Sequence, residues 1–309
     1  MDVTEEQFSH YIEHLEIPCL SQEVCEKGDG LVTYAECKES LDSFSSGKSP
    51  GEDGFTVEFY SKFFDLIVND LVESLNAAYE NGQLSISQRR GIITLIPKEE
   101  SSLLELKNWR LTTLLNVDYK IAFKAIAKRI EPILPSLMHP DQTGFVKGRY
   151  IGENIMLIAD VMEQTRKLNR SGILLSLDFQ KAFDTLEWSC RHHVLKLYNF
   201  GDSLRNWVKV FYTDIESAVL NNGYATNWIK PSTGVRQGCP LSPYLFILAA
   251  ELMSMKIRQS KAVKGISIFG REIKISQFAD DTNLLCFDLS SVEKGLQIAA
   301  SGFWRNLWY

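Results

Sequence analysis

The chain contains the segment Ile273-Lys-Ile-Ser-Gln-Phe-Ala-Asp-Asp-Thr-Asn-Leu-Leu-Cys-Phe287, in which apolar runs lie on both sides of two acidic residues. This pattern predicts a β-hairpin that carries Asp280 and Asp281 at its turn. A further apolar run, Ile173-Leu-Leu-Ser-Leu177, predicts a buried strand that ends at Asp178. If these strands share a sheet, three carboxylates converge at one of its ends, where divalent cations would relieve their repulsion. Ligand sets made only of oxygen favour Mg²⁺ or Mn²⁺.

An Asp-Asp pair is more commonly a simple turn dipeptide, and that alternative applies here. The apolar strands on both sides of Asp280-Asp281 and the strand-terminal Asp178 favour the metal-binding interpretation. Two cations at such a site can activate an attacking hydroxyl and stabilise a leaving pyrophosphate oxygen.

Helical and strand periodicities alternate along the remaining sequence and predict an α+β fold. Helices are expected at 57–79, at 114–134, after Asp178 to about Phe200 with Gly201 as the stop, and from Ser242-Pro243 onward as a buried helix. Strands are expected at 91–96, where Pro97 ends the run, and in the turn-rich stretch 215–236.

Several polar and aromatic residues outside the carboxylates are candidates for ligand contacts. Gly234-Val-Arg-Gln-Gly-Cys-Pro-Leu-Ser-Pro243 is a compact loop whose Gln237 amide could hydrogen-bond a base or sugar. Lys98 and Arg110 could bind a triphosphate. The alternatives are a plain helix entry for the loop and surface cations for Lys98 and Arg110. By pattern alone, Phe183 is one more core aromatic.

Composition restricts the class of protein. The 309 residues carry a net charge of −6, but residues 1–44 hold −9, which leaves +3 for the remainder and a local +5 within 86–130. This asymmetry permits a polyanion-binding face beside an acidic segment.

The six scattered cysteines contain no C-x-x-C pair, which indicates reduced core thiols. No apolar run reaches the roughly 18 residues of a membrane span, and the acidic N-terminus is unlike a targeting signal, so we expect no membrane partner and an intracellular location, cytoplasmic or nuclear.

Seven motifs, in order over residues 46–287, resemble the reverse transcriptase domain of non-LTR (LINE-type) retrotransposons. They are Lys48-Ser-Pro-Gly-Glu-Asp-Gly54, Leu95-Ile-Pro-Lys98, Asn108-Trp-Arg110 with Leu114-Leu-Asn-Val-Asp-Tyr-Lys120, Asp141-Gln-Thr-Gly-Phe-Val-Lys-Gly-Arg149, Asp178-Phe-Gln-Lys-Ala-Phe-Asp184, Gly234-Val-Arg-Gln-Gly-Cys-Pro-Leu-Ser-Pro243 and Phe278-Ala-Asp-Asp281. Leu111 departs from the family, which usually has proline there.

The resemblance implies RNA-templated DNA synthesis, with an RNA template, a DNA primer and dNTPs as partners. Asp178, Asp280 and Asp281 would be the catalytic carboxylates that hold two Mg²⁺ ions, with Mn²⁺ as a substitute, and the carbonyl of Phe179 would be an extra metal ligand. Phe183 would lie under the sugar and exclude the 2′-hydroxyl. The triphosphate would be bound by Lys98 and Arg110 and the incoming nucleotide by Gln237, while Gly234, Arg236 and Gly238 would form a template–primer loop.

The resemblance also implies a right-hand polymerase with a ferredoxin-like palm sheet. The predicted divisions are an acidic N-terminal extension (1–45), a fingers region (46–172) and a palm (173–309). Only 28 residues follow Asp281, so we expect no thumb, weak template–primer binding and exposed aromatic residues at the end of the chain. The oligomeric state is left open.

Two other functions compete with the reverse transcriptase. One is a catalytically inactive retroelement remnant or nucleic-acid-binding module with the same fold. The other is an RNA-templated RNA polymerase, which the bulky Phe183 beneath the sugar disfavours.

Overall fold

The computed structural model describes residues 4–98, 104–105, 108–179, 182–186, 188–236, 238–268 and 270–301. The helices are α1 (Glu5–Ile12), α2 (Gln22–Gly28), α3 (Tyr34–Asp42), α4 (Val57–Asn81), α5 (Ile86–Arg89), α6 (Val117–Ile130), α7 (Leu134–Leu137), α8 (Ile151–Lys167), α9 (Ala182–Thr185), α10 (Trp188–Leu197), α11 (Asp202–Tyr212), α12 (Ser242–Gln259) and α13 (Leu289–Ser301). The strands are β1 (Arg90–Pro97), β2 (Trp109–Leu115), β3 (Ile173–Leu177), β4 (Glu216–Asn221), β5 (Tyr224–Ala225), β6 (Ile266–Ile268), β7 (Arg271–Ile273), β8 (Ile275–Phe278) and β9 (Asp281–Cys286). This mixture confirms the predicted α+β class.

The chain forms two compact units. The first comprises Met1–Gln22, Glu131–Asn199 and Pro243–Tyr309, and the second comprises Glu23–Ile130 and Phe200–Ser242. The sequence-based divisions at 45/46 and 172/173 follow linear motif order and stay predictions.

The first unit is built around an antiparallel sheet with the strand order β3-β9-β8. In this sheet Leu177 pairs with Thr282, and Phe278 pairs with Asp281. The predicted hairpin and the predicted strand ending at Asp178 are therefore neighbours, as expected. Helix α12 belongs to the same unit, and residues 245–255 are all buried, which confirms the predicted buried helix.

The second unit contains a four-stranded sheet with the order β2-β1-β4-β5. Strand β1 is antiparallel to β2 and parallel to β4. The predicted turn between β4 and β5 is formed by Asn222 and Gly223, whose φ angles of 51° and 81° suit a tight hairpin turn. Phe123 stacks on Phe211 in the core of this unit, with ring centroids 3.8 Å apart.

Two predicted helix boundaries are wrong. Leu114 lies in β2, where it pairs with Ile92, so the helix predicted from 114 begins at Val117. An apolar run this short fits either a strand or a helix, and the partner strand decides between them. The helix predicted after Asp178 is divided into α9 and α10, with Leu186 outside both.

Gly201 was predicted to stop a helix, and this prediction is also wrong. Gly201 is instead the N-cap residue of α11. An added Cβ at Gly201 would lie 2.4 Å from both carboxylate oxygens of Asp29, which accepts a hydrogen bond from the Leu204 amide at 3.2 Å. The glycine is needed because Asp29 approaches the backbone closely at the start of α11.

All six cysteines are free; five of them are buried, as expected of core thiols, whereas Cys19 is exposed. Within the described ranges, no helix is both long enough and apolar enough to cross a membrane. The apolar residues predicted to be exposed at the end of the chain, Phe303, Trp304, Leu307 and Trp308, lie outside the described residues.

Candidate active site

Strand register brings the three predicted carboxylates to one end of the β3-β9-β8 sheet. Leu177, the last residue of β3, pairs with Thr282, so Asp178 follows directly beside the start of β9 at Asp281. Asp280 occupies the turn between β8 and β9. The prediction that these residues lie at the same end of one sheet is confirmed.

The electrostatic environment shows that these carboxylates influence one another. Burial raises the pKa of Asp280, and the negative charges of Asp281 and Asp178 raise this pKa further. Asp178 and Asp281 are exposed, whereas Asp280 is half-buried. A cation beside Asp280 would offset the repulsion that disfavours its charged form.

The chemistry of these oxygen donors fits Mg²⁺ or Mn²⁺. Among the residues that the structure describes, however, no group of three or more His, Cys, Asp or Glu side chains is gathered to hold a metal ion. The strand register thus places the carboxylates at adjacent backbone positions at one end of the sheet.

Phe183 lies in α9 and packs against two other aromatic rings. Its ring centroid is 4.8 Å from that of Phe246 and 6.4 Å from that of Phe145. Phe183 is half-buried, so part of its surface is accessible. Phe179 is buried, with 5% of its surface exposed.

Lys98 and Arg110 belong to the second unit, at the end of the β1–β2 ladder where the chain passes from β1 to β2. The Lys98 amide donates a hydrogen bond to the Asn108 carbonyl at 2.8 Å, and Arg110 pairs with Ile96. Since side chains alternate along a strand, Ile96 and Lys98 share one face, and Arg110 projects from that same face. Both cations are exposed. Two positive charges therefore lie close together on one surface of this hairpin.

The loop that precedes α12 is anchored by a buried arginine. Arg236 is 6% exposed and donates hydrogen bonds to the Glu216 carbonyl at 3.0 Å and to the Arg89 carbonyl. Its guanidinium also lies 5.4 Å from the Tyr119 ring centroid. These contacts hold the loop in place, and the contact predicted between Arg236 and a template–primer stays a prediction.

The two loop glycines have the backbone conformation expected of a tight loop. Gly234 has φ +84° and Gly238 has φ +96°. At Gly238 an added Cβ would also lie 3.0 Å from the Thr113 carbonyl oxygen. Gln237, the predicted nucleotide contact, lies outside the described residues.

Sequence reasoning missed the buried support beneath the Asp280–Asp281 turn. Gln142 has no exposed surface and bonds to the backbone on both sides of the Ala279 Cα. The only available signal was its position in the motif Asp141-Gln-Thr-Gly-Phe145, to which no role was given.

Comparison with known proteins places this geometry in context. The family described as "Reverse transcriptase (RNA-dependent DNA polymerase)" matches residues 96–303. The chain is 36% identical over 280 residues to the "Transposon TX1 uncharacterized 149 kDa protein" of Xenopus laevis, covering 90% of this chain and 21% of that protein. It is 28% identical over 193 residues to a Pol polyprotein from the retrotransposable element R2 of Popillia japonica, covering 62% of this chain and 27% of that protein. A Pol polyprotein from the element R2DM of Drosophila melanogaster is 26% identical over 267 residues, covering 86% of this chain and 24% of that protein. The chain therefore spans about a fifth to a quarter of the length of these relatives.

Proposed function

Because the chain belongs to the reverse transcriptase family, as a domain of the type found in non-LTR retrotransposons, we propose that it catalyses RNA-templated DNA synthesis. In this reaction the primer 3′-hydroxyl attacks the α-phosphate of a dNTP, a new phosphodiester bond forms, and pyrophosphate leaves. The observation that carries the proposal is the juxtaposition of Asp178 with Asp280-Asp281 at one sheet end.

Asp178, Asp280 and Asp281 are the proposed metal-holding carboxylates, with the main-chain carbonyl of Phe179 as an additional ligand. The family generally uses divalent metal, and two Mg²⁺ ions, or Mn²⁺ in their place, would supply activation of the attacking hydroxyl and charge neutralisation at the leaving oxygen. The raised pKa of Asp280 supports a place for positive charge beside this group.

The remaining residues are proposed to position the nucleotide and the template–primer. Phe183 would pack under the sugar, since its ring is held by Phe246 and the residue is only half-buried. Lys98 and Arg110, which share one face of the β1–β2 hairpin, would bind the triphosphate. Catalysis of this kind depends mainly on positioning and charge neutralisation.

The loop residues complete the proposed contacts. Gln237 would contact the incoming nucleotide. Gly234 and Gly238 would let the loop backbone approach the template–primer, and Arg236 would hold that loop from beneath.

The finer architecture is proposed from the family. Residues 46–172 would form the fingers and residues 173–309 a ferredoxin-like palm of a right-hand polymerase, with the acidic residues 1–45 preceding them. The β3-β9-β8 sheet, which carries the three carboxylates, supports the palm assignment.

The proposal is tested by primer extension on an RNA template with a DNA primer, dNTPs and Mg²⁺. Asp178→Asn, Asp280→Asn and Asp281→Asn should each lower the extension rate by about a hundredfold or more, because loss of one charged ligand weakens metal binding. Asp160→Asn, which changes an exposed carboxylate on α8 of the same unit, is the matched control and should extend normally.

Two results would contradict the proposal. One is normal extension by Asp280→Asn. The other is a folded wild-type chain that binds template–primer without extending it, which would instead identify a non-catalytic remnant or binding module.

A further inference from the structure

The turn that carries Asp280 and Asp281 is supported from behind by a distant segment of the same unit, residues 141–144. The Gln277 amide donates to the Asp141 carbonyl at 2.8 Å, and the Thr143 amide donates to the Gln277 carbonyl at 3.0 Å. Gln142 and Gln277 thereby form a parallel bridge. The segment is thus joined to β8 by a single bridge.

The side chain of Gln142 engages both peptide groups that flank the Ala279 Cα. Its Oε1 accepts hydrogen bonds from the Ala279 amide at 2.9 Å and from the Gly144 amide at 2.9 Å. Its Nε2 donates to the Ala279 carbonyl at 3.3 Å. Gln142 is fully buried, so water does not replace these bonds.

The conformation that Gln142 supports is an unfavourable one. Ala279 has φ +56°, in the left-handed region that residues with a Cβ seldom adopt. A return of Ala279 to an ordinary conformation would rotate the peptide plane that leads into Asp280. The direction of the Asp280 and Asp281 carboxylates therefore depends on whatever holds Ala279 in place.

The packing around Gln142 leaves little freedom for this contact. An added Cβ at Gly144 would lie 2.2 Å from the Ala279 nitrogen, so only glycine permits this approach. Asn154 donates to the Gln277 carbonyl and to the Ser276 hydroxyl, both at 2.9 Å, and it bonds to the Thr143 hydroxyl. The close approach of Gly144 to Ala279 and the hydrogen bonds of Asn154 thus both fix segment 141–144 to the β8–β9 hairpin.

We propose that Gln142 is a positioning residue for the catalytic turn: its amide holds Ala279 in the left-handed conformation and thereby fixes the backbone from which Asp280 and Asp281 project. This inference rests on the proposed function, because it assigns to Gln142 the geometry of carboxylates whose role is itself proposed. It adds a residue outside the metal-holding set.

The test replaces the amide with a side chain of similar length that cannot form these bonds. Gln142→Met should lower kcat for primer extension by about tenfold to a hundredfold, because small misplacements of catalytic groups have effects of this size. The KM for template–primer should stay within about twofold, since Gln142 has no exposed surface through which it could contact nucleic acid. A second readout is Mn²⁺ affinity, measured by electron paramagnetic resonance without nucleotide, which should also fall.

Gln88→Met is the matched control. Gln88 is another buried amide, 4% exposed, and it caps the short helix α5 in the second unit by accepting a bond from the Ser85 amide at 3.3 Å. Both substitutions remove a buried amide, so thermal melting should show comparable losses of stability. Only Gln142→Met should change kcat and Mn²⁺ affinity.

A rescue variant separates positioning from general packing. Glycine adopts the left-handed conformation without a steric penalty, so Ala279→Gly in the Gln142→Met background should restore part of both kcat and Mn²⁺ affinity. A purely structural loss at Gln142 would not be repaired by this substitution.

The outcomes distinguish failure of this inference from failure of the proposed function. Unchanged kcat and unchanged Mn²⁺ affinity in a folded Gln142→Met variant would overturn the positioning role while leaving the polymerase intact. A wild-type chain that binds Mn²⁺ through Asp280 but does not extend primers would overturn the function, and the Mn²⁺ affinities would still decide the positioning role. If Asp280→Ala binds Mn²⁺ as well as the wild type does, both are wrong.

Discussion

At the scale of single residues, the role of Phe183 could not be assigned from the sequence. It packs against Phe246 with ring centroids 4.8 Å apart, as a core aromatic would, yet it is only half-buried. A ring that is packed against a neighbour and remains partly exposed can form a rigid platform for a flat or ring-shaped ligand. The packing of Phe183 therefore agrees with both interpretations, a core aromatic and a residue under the nucleotide sugar, and a functional measurement separates them.

Phe183→Val should increase the incorporation of ribonucleotides relative to deoxyribonucleotides by about tenfold or more, because the smaller side chain leaves room for a 2′-hydroxyl. The measurement is the ratio of kcat/KM for dNTP to kcat/KM for the matching rNTP. This ratio is internally controlled, since partial unfolding lowers both values equally. An unchanged ratio would mean that Phe183 is only a packing residue.

At the scale of elements, helix α12 contains a buried ion pair within an apolar surface. Glu251 is 1% exposed and forms an ion pair with Arg258, seven residues later in the same helix. The His139 amide donates a hydrogen bond to the Glu251 carboxylate at 3.4 Å. Arg258 also binds Asp141 at 2.9 Å. Burial raises the pKa of Glu251 to about 7, with Asp141 adding to the rise and Arg258 and His139 opposing it.

This raised pKa has a definite consequence for stability. Between the unfolded pKa of 4.5 and the folded value near 7, the folded state binds more protons than the unfolded state, so the free energy of unfolding falls as pH rises. Relative to Glu251→Gln, which cannot titrate, the wild type should lose about 2 to 3 kcal/mol between pH 5 and pH 8. Urea denaturation of both proteins across this range measures the difference. Parallel pH profiles would show that Glu251 is charged throughout.

At the scale of the whole molecule, the acidic N-terminal residues combine a charge asymmetry with a structural role. Residues 1–44 carry a charge of −9, whereas the whole chain carries −6. Nevertheless, α1 and α3 contribute buried side chains to the two units. Phe8 and Tyr11 are buried in α1, and Cys37 and Leu41 are buried in α3. Arg129 of α6 binds the Glu36 carboxylate at 2.6 Å and the Gly30 carbonyl at 2.9 Å. These residues are therefore integrated in the packing of the units to which they belong.

Deletion of residues 1–42 should prevent stable folding. Each large buried apolar side chain contributes about 1.5 to 3 kcal/mol, and the sum over this segment approaches the entire stability of a typical domain. Circular dichroism and thermal melting of the deletion variant measure the effect. The control is Glu23→Gln with Glu26→Gln, which removes charge at two exposed positions and should melt near the wild-type temperature. A cooperative transition at the wild-type temperature in the deletion variant would contradict this expectation.

The sequence alone determined the strands that flank Asp280-Asp281, the strand that leads to Asp178, and the carboxylates at their ends. The periodicity around Asp178 and Asp280-Asp281 is local, and strand pairing then follows from burying the apolar runs, so both the β3-β9-β8 neighbours and the buried helix α12 could be predicted. Motif order likewise indicated the family that the comparisons confirm.

Only the tertiary structure decided the roles of Gln142, Gly201 and Arg236. Gln142 forms a hydrogen bond with Ala279, which is 137 residues away in the sequence, and Arg236 donates to the carbonyl of Arg89, which is 147 residues away. At position 201 the Asp29 carboxylate leaves no room for a side chain, so glycine is required. Such contacts leave no periodic signal, because each depends on how distant segments pack against one another.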